Sequence, residues 1–220
     1  MRATSKLLAL AFTAALQPAM AGTVFLDFED VQTVEKLTNR YSNLGVAVTG
    51  DAFTATSKAC KYGAAATPGK VGFQRDGSCG AVWLAADPTD VPTGDDNSLT
   101  FNLADGFINS LSFVYSANTG SPGLSIHLFD AAGRELGLGL DGLSGSPCGN
   151  FPFCNWQSVN LSFQGVARSV VFTALDQSII LDDLRFTTPA ATGQLPEPTS
   201  IALVVGALAG LGWARKRAAR

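Results

Sequence analysis

Between residues 98 and 186 the apolar side chains recur at every second position, in short runs separated by glycine, proline and aspartate. Leu124-Ser-Ile-His-Leu-Phe129 shows the period: Leu124, Ile126 and Leu128 share one side, and Ser125 and His127 lie on the other. A two-residue period places alternate side chains on opposite faces of an extended chain, whereas a helix needs apolar positions three and four apart. The same alternation marks Ser98 to Leu103, Ile108 to Ser116, Trp156 to Phe163, Ser169 to Leu175 and Ile179 to Phe186. Thr23 to Glu29, Gly45 to Thr49, Ala52 to Thr56, Ala81 to Ala85 and Leu136 to Leu140 complete the set of expected strands. Asp30 to Tyr41 reads as one helical turn or a loop, and no internal repeat is present. Strands at this spacing, joined by Gly/Pro/Asp turns, predict an all-β sandwich whose two sheets close over one core.

The two ends of the chain read differently. Arg2 and Lys6 precede the apolar stretch Leu7 to Leu16, and Ala19-Met20-Ala21 forms a small-residue cleavage site before Gly22. These are the three parts of a secretory signal peptide in order, so residues 1–21 are expected to be removed on Sec-dependent export. At the other end Pro196-Glu197-Pro198 is followed by an apolar run, Ile201 to Trp213, and then by Arg215, Lys216 and Arg217. The prolines force an extended linker. A single hydrophobic helix over 200–213 is expected next, with Trp213 at the interface and the basic end held on the cytoplasmic side. The domain reading is therefore a signal peptide (1–21), a β-sandwich (22–189), and a linker with a terminal segment (190–220).

Of the 15 lysines and arginines, six lie in these end segments, which leaves the middle of the chain markedly acidic. Such a body repels phosphate backbones, so nucleic acid is not an expected partner. The cysteines are Cys60, Cys79, Cys148 and Cys154. An even number in an exported chain reads as two disulfides; three pairings are open, and Cys60–Cys79 with Cys148–Cys154 is the simplest. No close C-x₂₋₄-C pair exists for a zinc site.

The order Pro196-Glu197-Pro198, short apolar helix, Arg215-Lys216-Arg217 resembles the PEP-CTERM sorting signal of Gram-negative bacteria. The resemblance covers residues 196–220 and implies processing by an exosortase, a membrane cysteine protease. It also implies transient anchoring in the inner membrane and a destination at the cell surface or in the extracellular matrix. Leu195-Pro-Glu-Pro-Thr199 departs from a sortase LPxTG box at Pro198 and in lacking the glycine. A plain single-pass anchor is the simpler alternative for this segment.

The run W-Q-S-V-N-L-S-F from Trp156, with S-V-V-F and I-I-L-D-D-L-R-F after it, resembles the last strands of jelly-roll modules found in PEP-CTERM proteins and carbohydrate-binding domains. The opening D-F-E-D and Tyr41-Ser-Asn-Leu-Gly-Val46 are similar to the start of such modules. The resemblance implies a jelly-roll in which the first and last strands are neighbours, bringing Asp27, Glu29 and Asp30 towards Asp182 and Asp183. Modules of this kind often hold a structural calcium there, and Asp27, Glu29 and Asp182 are the candidate oxygen ligands. Solvated strand-end acids are the competing reading. Asp182 and Asp183 are expected to point to opposite faces, so that one alone serves.

Other candidates carry less chemistry. Asp87, Asp90, Asp95 and Asp96 do not match the D-x-D-x-D-G calcium loop and read as solvated. His127, the sole histidine, reads as a strand residue facing away from the core, and no G-x-S-x-G accompanies it. Tyr62, Trp83, Tyr115 and Trp156 read as core aromatics, whereas Phe151 and Phe153, between Cys148 and Cys154, are expected to be exposed enough to touch a ligand.

The functional expectation is an exported, non-catalytic protein of the exopolysaccharide or biofilm matrix, binding glycan. A glycoside hydrolase or lyase on the same scaffold is the alternative and requires two carboxylates facing each other across a groove. A purely structural matrix or adhesion protein is the third reading.

Overall fold

Alternation becomes sheet throughout the body of this computed structural model, which describes residues 21–31, 33–56, 73, 75, 78–86, 95–118, 123–136, 140–143, 153 and 155–190. Nine strands follow in order: β1 (Gly22–Leu26), β2 (Val46–Gly50), β3 (Ala52–Thr56), β4 (Gly80–Leu84), β5 (Asp96–Ala117), β6 (Leu124–Phe129), β7 (Leu140–Leu143), β8 (Gln157–Leu175) and β9 (Ile179–Thr188). The described residues hold no α-helix; one 3-10 turn, Ser42–Leu44, precedes β2. The expected C-terminal helix lies outside the described residues.

All strand pairs are antiparallel, in the order β3-β4-β9-β5-β8-β6-β7, with β1 beside β9 and β2 beside β5. The organising element is the β5–β8 pair, long enough to serve both halves of the curled sheet. The first part of β5 and the last part of β8 lie between β2 and β6. The last part of β5 and the first part of β8 continue beside β9. The register shifts between Asn102 and Phe107 and again between Ile108 and Ser110, where Gly106 (φ 73°) and Asn109 (φ 64°) take left-handed backbone. Bulges of this kind bend a strand without breaking it.

The bend brings the two halves face to face. Phe113 and Phe172 meet edge to face at 5.3 Å between centroids, and Phe101 and Phe186 meet in a tilted arrangement at 6.2 Å. Leu99, Phe101, Leu111, Phe113, Ile126, Leu128, Leu161, Val170, Phe172, Leu184 and Phe186 belong to this one core, which supplies most of the stabilisation by removing apolar surface from water. A second, smaller cluster lies on the other face of the β4–β9 region: Ala55, Phe73, Ala81, Trp83, Ala85, Phe153 and Ile180. The all-β expectation is observed, and in place of two separate sheets the described strands form one antiparallel sheet that curls over the core, because β5 and β8 bend and run through both halves.

Candidate functional site

The face of β1, β9, β5 and β8 turned away from the main core is set by the two-residue period. Leu111, Phe113 and Tyr115 face inward, so Ser110, Ser112, Val114 and Ser116 face outward, as do Ser158, Asn160 and Ser162 on β8. On β1, Thr23 and Phe25 lie opposite Thr187 and Arg185. Along this outer face the surface changes from exposed and hydroxyl-lined beside β1 to covered beside β4, where Trp83 and Ile180 are buried. Two atoms at the covered end, Trp83 Nε1 and Ser116 Oγ, have no hydrogen-bond partner among the described residues.

Asp182 lies on this face and is 1% exposed. The Ser78 hydroxyl donates to its Oδ2 at 2.8 Å, the Asp183 amide donates to Oδ1 at 2.7 Å, and the Arg75 guanidinium pairs with it. The other guanidinium nitrogen reaches Asp183 Oδ2 at 2.5 Å, and the same group lies over the Trp156 ring at 5.2 Å from its centroid. Trp156 in turn meets Phe73 edge to face at 5.6 Å. Burial lifts the Asp182 carboxyl to about 6, against the opposite pull of Ser78, Arg75 and the Asp183 amide. Burial works against the Arg75 charge too, yet Asp183 and Asp182 together hold its pKa above the ordinary guanidinium value.

Both aspartates therefore serve one guanidinium, where alternation sends them to opposite faces. The reason is a bulge: the register slips between Ser112 and Val114, and Asp183 adopts φ 53°. That left-handed residue breaks the period and returns the second carboxylate to the side of the first. The calcium expectation meets a different arrangement. Asp182 is matched by Arg75, both Glu29 oxygens accept from the Cys79 amide (3.0 and 2.9 Å), and Asp27 Oδ1 accepts from the Glu29 amide at 3.3 Å. Among the described residues no group of three or more His, Cys, Asp or Glu side chains could hold a metal ion. The third acid of the opening motif, Asp30, is taken by Arg40 at 2.8 Å and by the Tyr41 hydroxyl at 2.8 Å.

A second aromatic–guanidinium pair stands on the exposed part of the face. Arg185 lies over the Phe25 ring at 3.8 Å from its centroid. Phe25 occupies the polar side of β1, between the inward Val24 and Leu26, and that misplaced aromatic is the signal by which the sequence could have revealed it. Arg75 has no such signal, because its partners lie 107 and 108 residues away.

The remaining expectations divide. Phe153 is 2% exposed and bridges Phe73, so it belongs to the second apolar cluster and not to an exposed loop. Burying its ring beside Trp83 removes more apolar surface than leaving it in water. Tyr115 is buried with its hydroxyl donating to Gln157 Oε1 at 3.2 Å. His127 is on the outer side of β6, with Nδ1 2.6 Å from Glu135 and Nε2 3.8 Å from Asp141. Cys79 is disulfide-bonded, and its partner lies outside the described residues. So do Phe151, Tyr62, Asp87, Asp90, Cys60, Cys148, Cys154, the signal segment, and the sorting motif with Pro196, Glu197, Pro198, Arg215, Lys216 and Arg217.

Fold and site together define an antiparallel all-β module with one polar, aromatic-bordered sheet face. No family model and no curated protein matches the chain. Among solved structures, the K1 cleaved adhesin domain of Lys-gingipain from Porphyromonas gingivalis is 15% identical, with a TM-score of 0.44, covering 76% of this chain and 99% of that one. A variant of the family 29 carbohydrate-binding module CBM29-2 is 13% identical, with a TM-score of 0.43 over 82% of this chain and 99% of its own. The CBM22-1 xylan-binding domain from Paenibacillus barcinonensis Xyn10C is 11% identical, with a TM-score of 0.39 over 80% and 100%. Scores below 0.5 define neither a family nor a site for this chain.

Proposed function

We propose that this is an exported, exosortase-processed protein of the cell surface or extracellular matrix that binds glycan without catalysis. The observation that carries the binding half is the outer face itself. Hydroxyl and amide side chains fill it, and two rings with guanidinium groups on them, Phe25/Arg185 and Trp156/Arg75, border it. A sugar ring presents axial C–H groups to an aromatic ring and hydroxyls to hydrogen-bonding groups, and this surface offers both. The export half is supported by the two terminal motifs and the disulfide-bonded Cys79, since disulfides persist outside the cytoplasm.

The non-catalytic reading is supported by the two clustered carboxylates. Asp182 and Asp183 grip one guanidinium side by side instead of facing each other across a cleft. Binding is tested on a glycan array and by affinity electrophoresis in gels containing matrix polysaccharides. The Trp156→Ala variant is expected to weaken retention about tenfold. An array with no retained glycan would leave a structural matrix role. Cell fractionation with and without the segment from Pro196 onward tests the destination, and retention of both forms in the cytoplasm would refute export.

A further inference from the structure

Among the described residues, Arg185 is the cation in the open part of the outer face that no carboxylate answers. It is exposed, and its guanidinium carbon lies 3.8 Å from the Phe25 ring centroid. The acids that come nearest in register are engaged elsewhere. Asp183 is held by Arg75 and Asp27 by the Glu29 amide. Across the sheet from Arg185 the register runs to Ser112 and on to Asn160, with Phe25 on the other side. The next row outward holds Thr23, Thr187, Ser110 and Ser162, in which Ser110 Oγ and Thr187 Oγ1 are 3.1 Å apart.

Resting on the glycan-binding reading above, we propose that this face takes a uronic-acid-bearing polysaccharide, with one sugar carboxylate on Arg185. A planar guanidinium is the side chain best suited to a carboxylate, because two parallel N–H groups match its two oxygens. Phe25 beneath it fixes the plane and holds the guanidinium ready. The neighbouring hydroxyls and the Asn160 amide suit the ring hydroxyls of the same sugar. One guanidinium answers one sugar carboxylate, so a single uronate unit is what this position holds. The rows cross four strands at about 4.8 Å spacing, which gives a track of about 14 Å, longer than one sugar.

The test uses the full body in affinity electrophoresis and calorimetry with two uronans, polygalacturonate and alginate, and with each polymer after chemical reduction of its carboxyl groups. Wild type is expected to bind at least one uronan, with a loss of about tenfold on carboxyl reduction. Arg185→Gln should show the same loss on the intact uronan and none on the reduced polymer. Arg134→Gln, at an exposed arginine in the turn after β6, should match wild type and so exclude a general charge effect. Equal binding of intact and reduced polymers, unaffected by Arg185→Gln, overturns the uronate assignment while leaving glycan binding intact. Retention by neither uronan also overturns it, and the array then decides the broader reading separately. Circular dichroism of Arg185→Gln guards against loss of fold, which is not expected at an exposed position.

Discussion

Asp182 is the residue on which the site is built, and its chemistry follows from position alone. A carboxyl at 1% exposure loses its hydration, and Ser78, Arg75 and the Asp183 amide restore only part of it, so burial raises its pKa from 3.8 to about 6. Between those values the folded protein holds a proton that the unfolded chain has released. Folding is therefore favoured by this group below about pH 4, and that contribution is lost as pH rises through 6. Asp182→Asn mimics the protonated state. Relative to wild type, its stability in urea titrations should improve from pH 4 to pH 7 by up to about 3 kcal/mol, and a constant difference would refute the shifted carboxyl. Arg75→Gln has the opposite sense at pH 7. It strands a buried carboxylate and should cost about 3 kcal/mol, less in an Asp182→Asn background, because the two changes remove one interaction.

Elements were legible where the pattern is local. β3 and β6 have the bounds that alternation predicts, and β1, β2, β4 and β9 differ by a few residues at their ends. The two longest strands read in the sequence as four, because Gly106 and Gly165, both with positive φ, fall in the gaps between the alternating runs, whereas the bend at Asn109 lies inside one of them. β7 was displaced: Leu136 to Leu140 reads as a strand, but the observed one is Leu140–Leu143. Conformation at single residues decides how elements meet. Asp183 must hold φ 53° to return its carboxylate to Arg75, so Asp183→Val should cost about 1–2 kcal/mol more than Asp183→Asn. Gly80 opens β4 against the carbonyl of Phe28, where a Cβ would stand 1.8 Å from that oxygen. Gly80→Ala should lower stability by about 2 kcal/mol through forced separation of these backbones. Equal thermal midpoints for wild type and either bulky variant would show that the backbones have room to move.

At the scale of the whole molecule, one core inside the curled sheet carries the fold, and a second apolar cluster covers one end of an outer face. The cover includes Phe73 and Phe153, which meet through a parallel bridge although 80 residues apart in sequence. Cys79, the residue before β4, is disulfide-bonded, which adds a covalent constraint next to this strand. Reduction under native conditions should lower stability by about 2–4 kcal/mol in denaturant titrations, and no change on reduction would assign that role to apolar packing instead.

The sequence by itself determined the strand class, the inward and outward faces, and the expectations attached to the two ends, because each rests on neighbours a few residues apart. Only the tertiary structure decided that the two aspartates share Arg75, that Phe153 is buried, and that Glu29 is taken by the Cys79 amide and Asp30 by Arg40 and Tyr41. The shared guanidinium depends on a bulge that reverses one side chain and on contacts more than 100 residues apart, and the burial of Phe153 on a bridge to Phe73, none of which a local period encodes. Between the two lies Phe25, an aromatic on the polar side of an alternating strand. Its anomaly was visible in the sequence, and its reason was not until Arg185 was found lying over it.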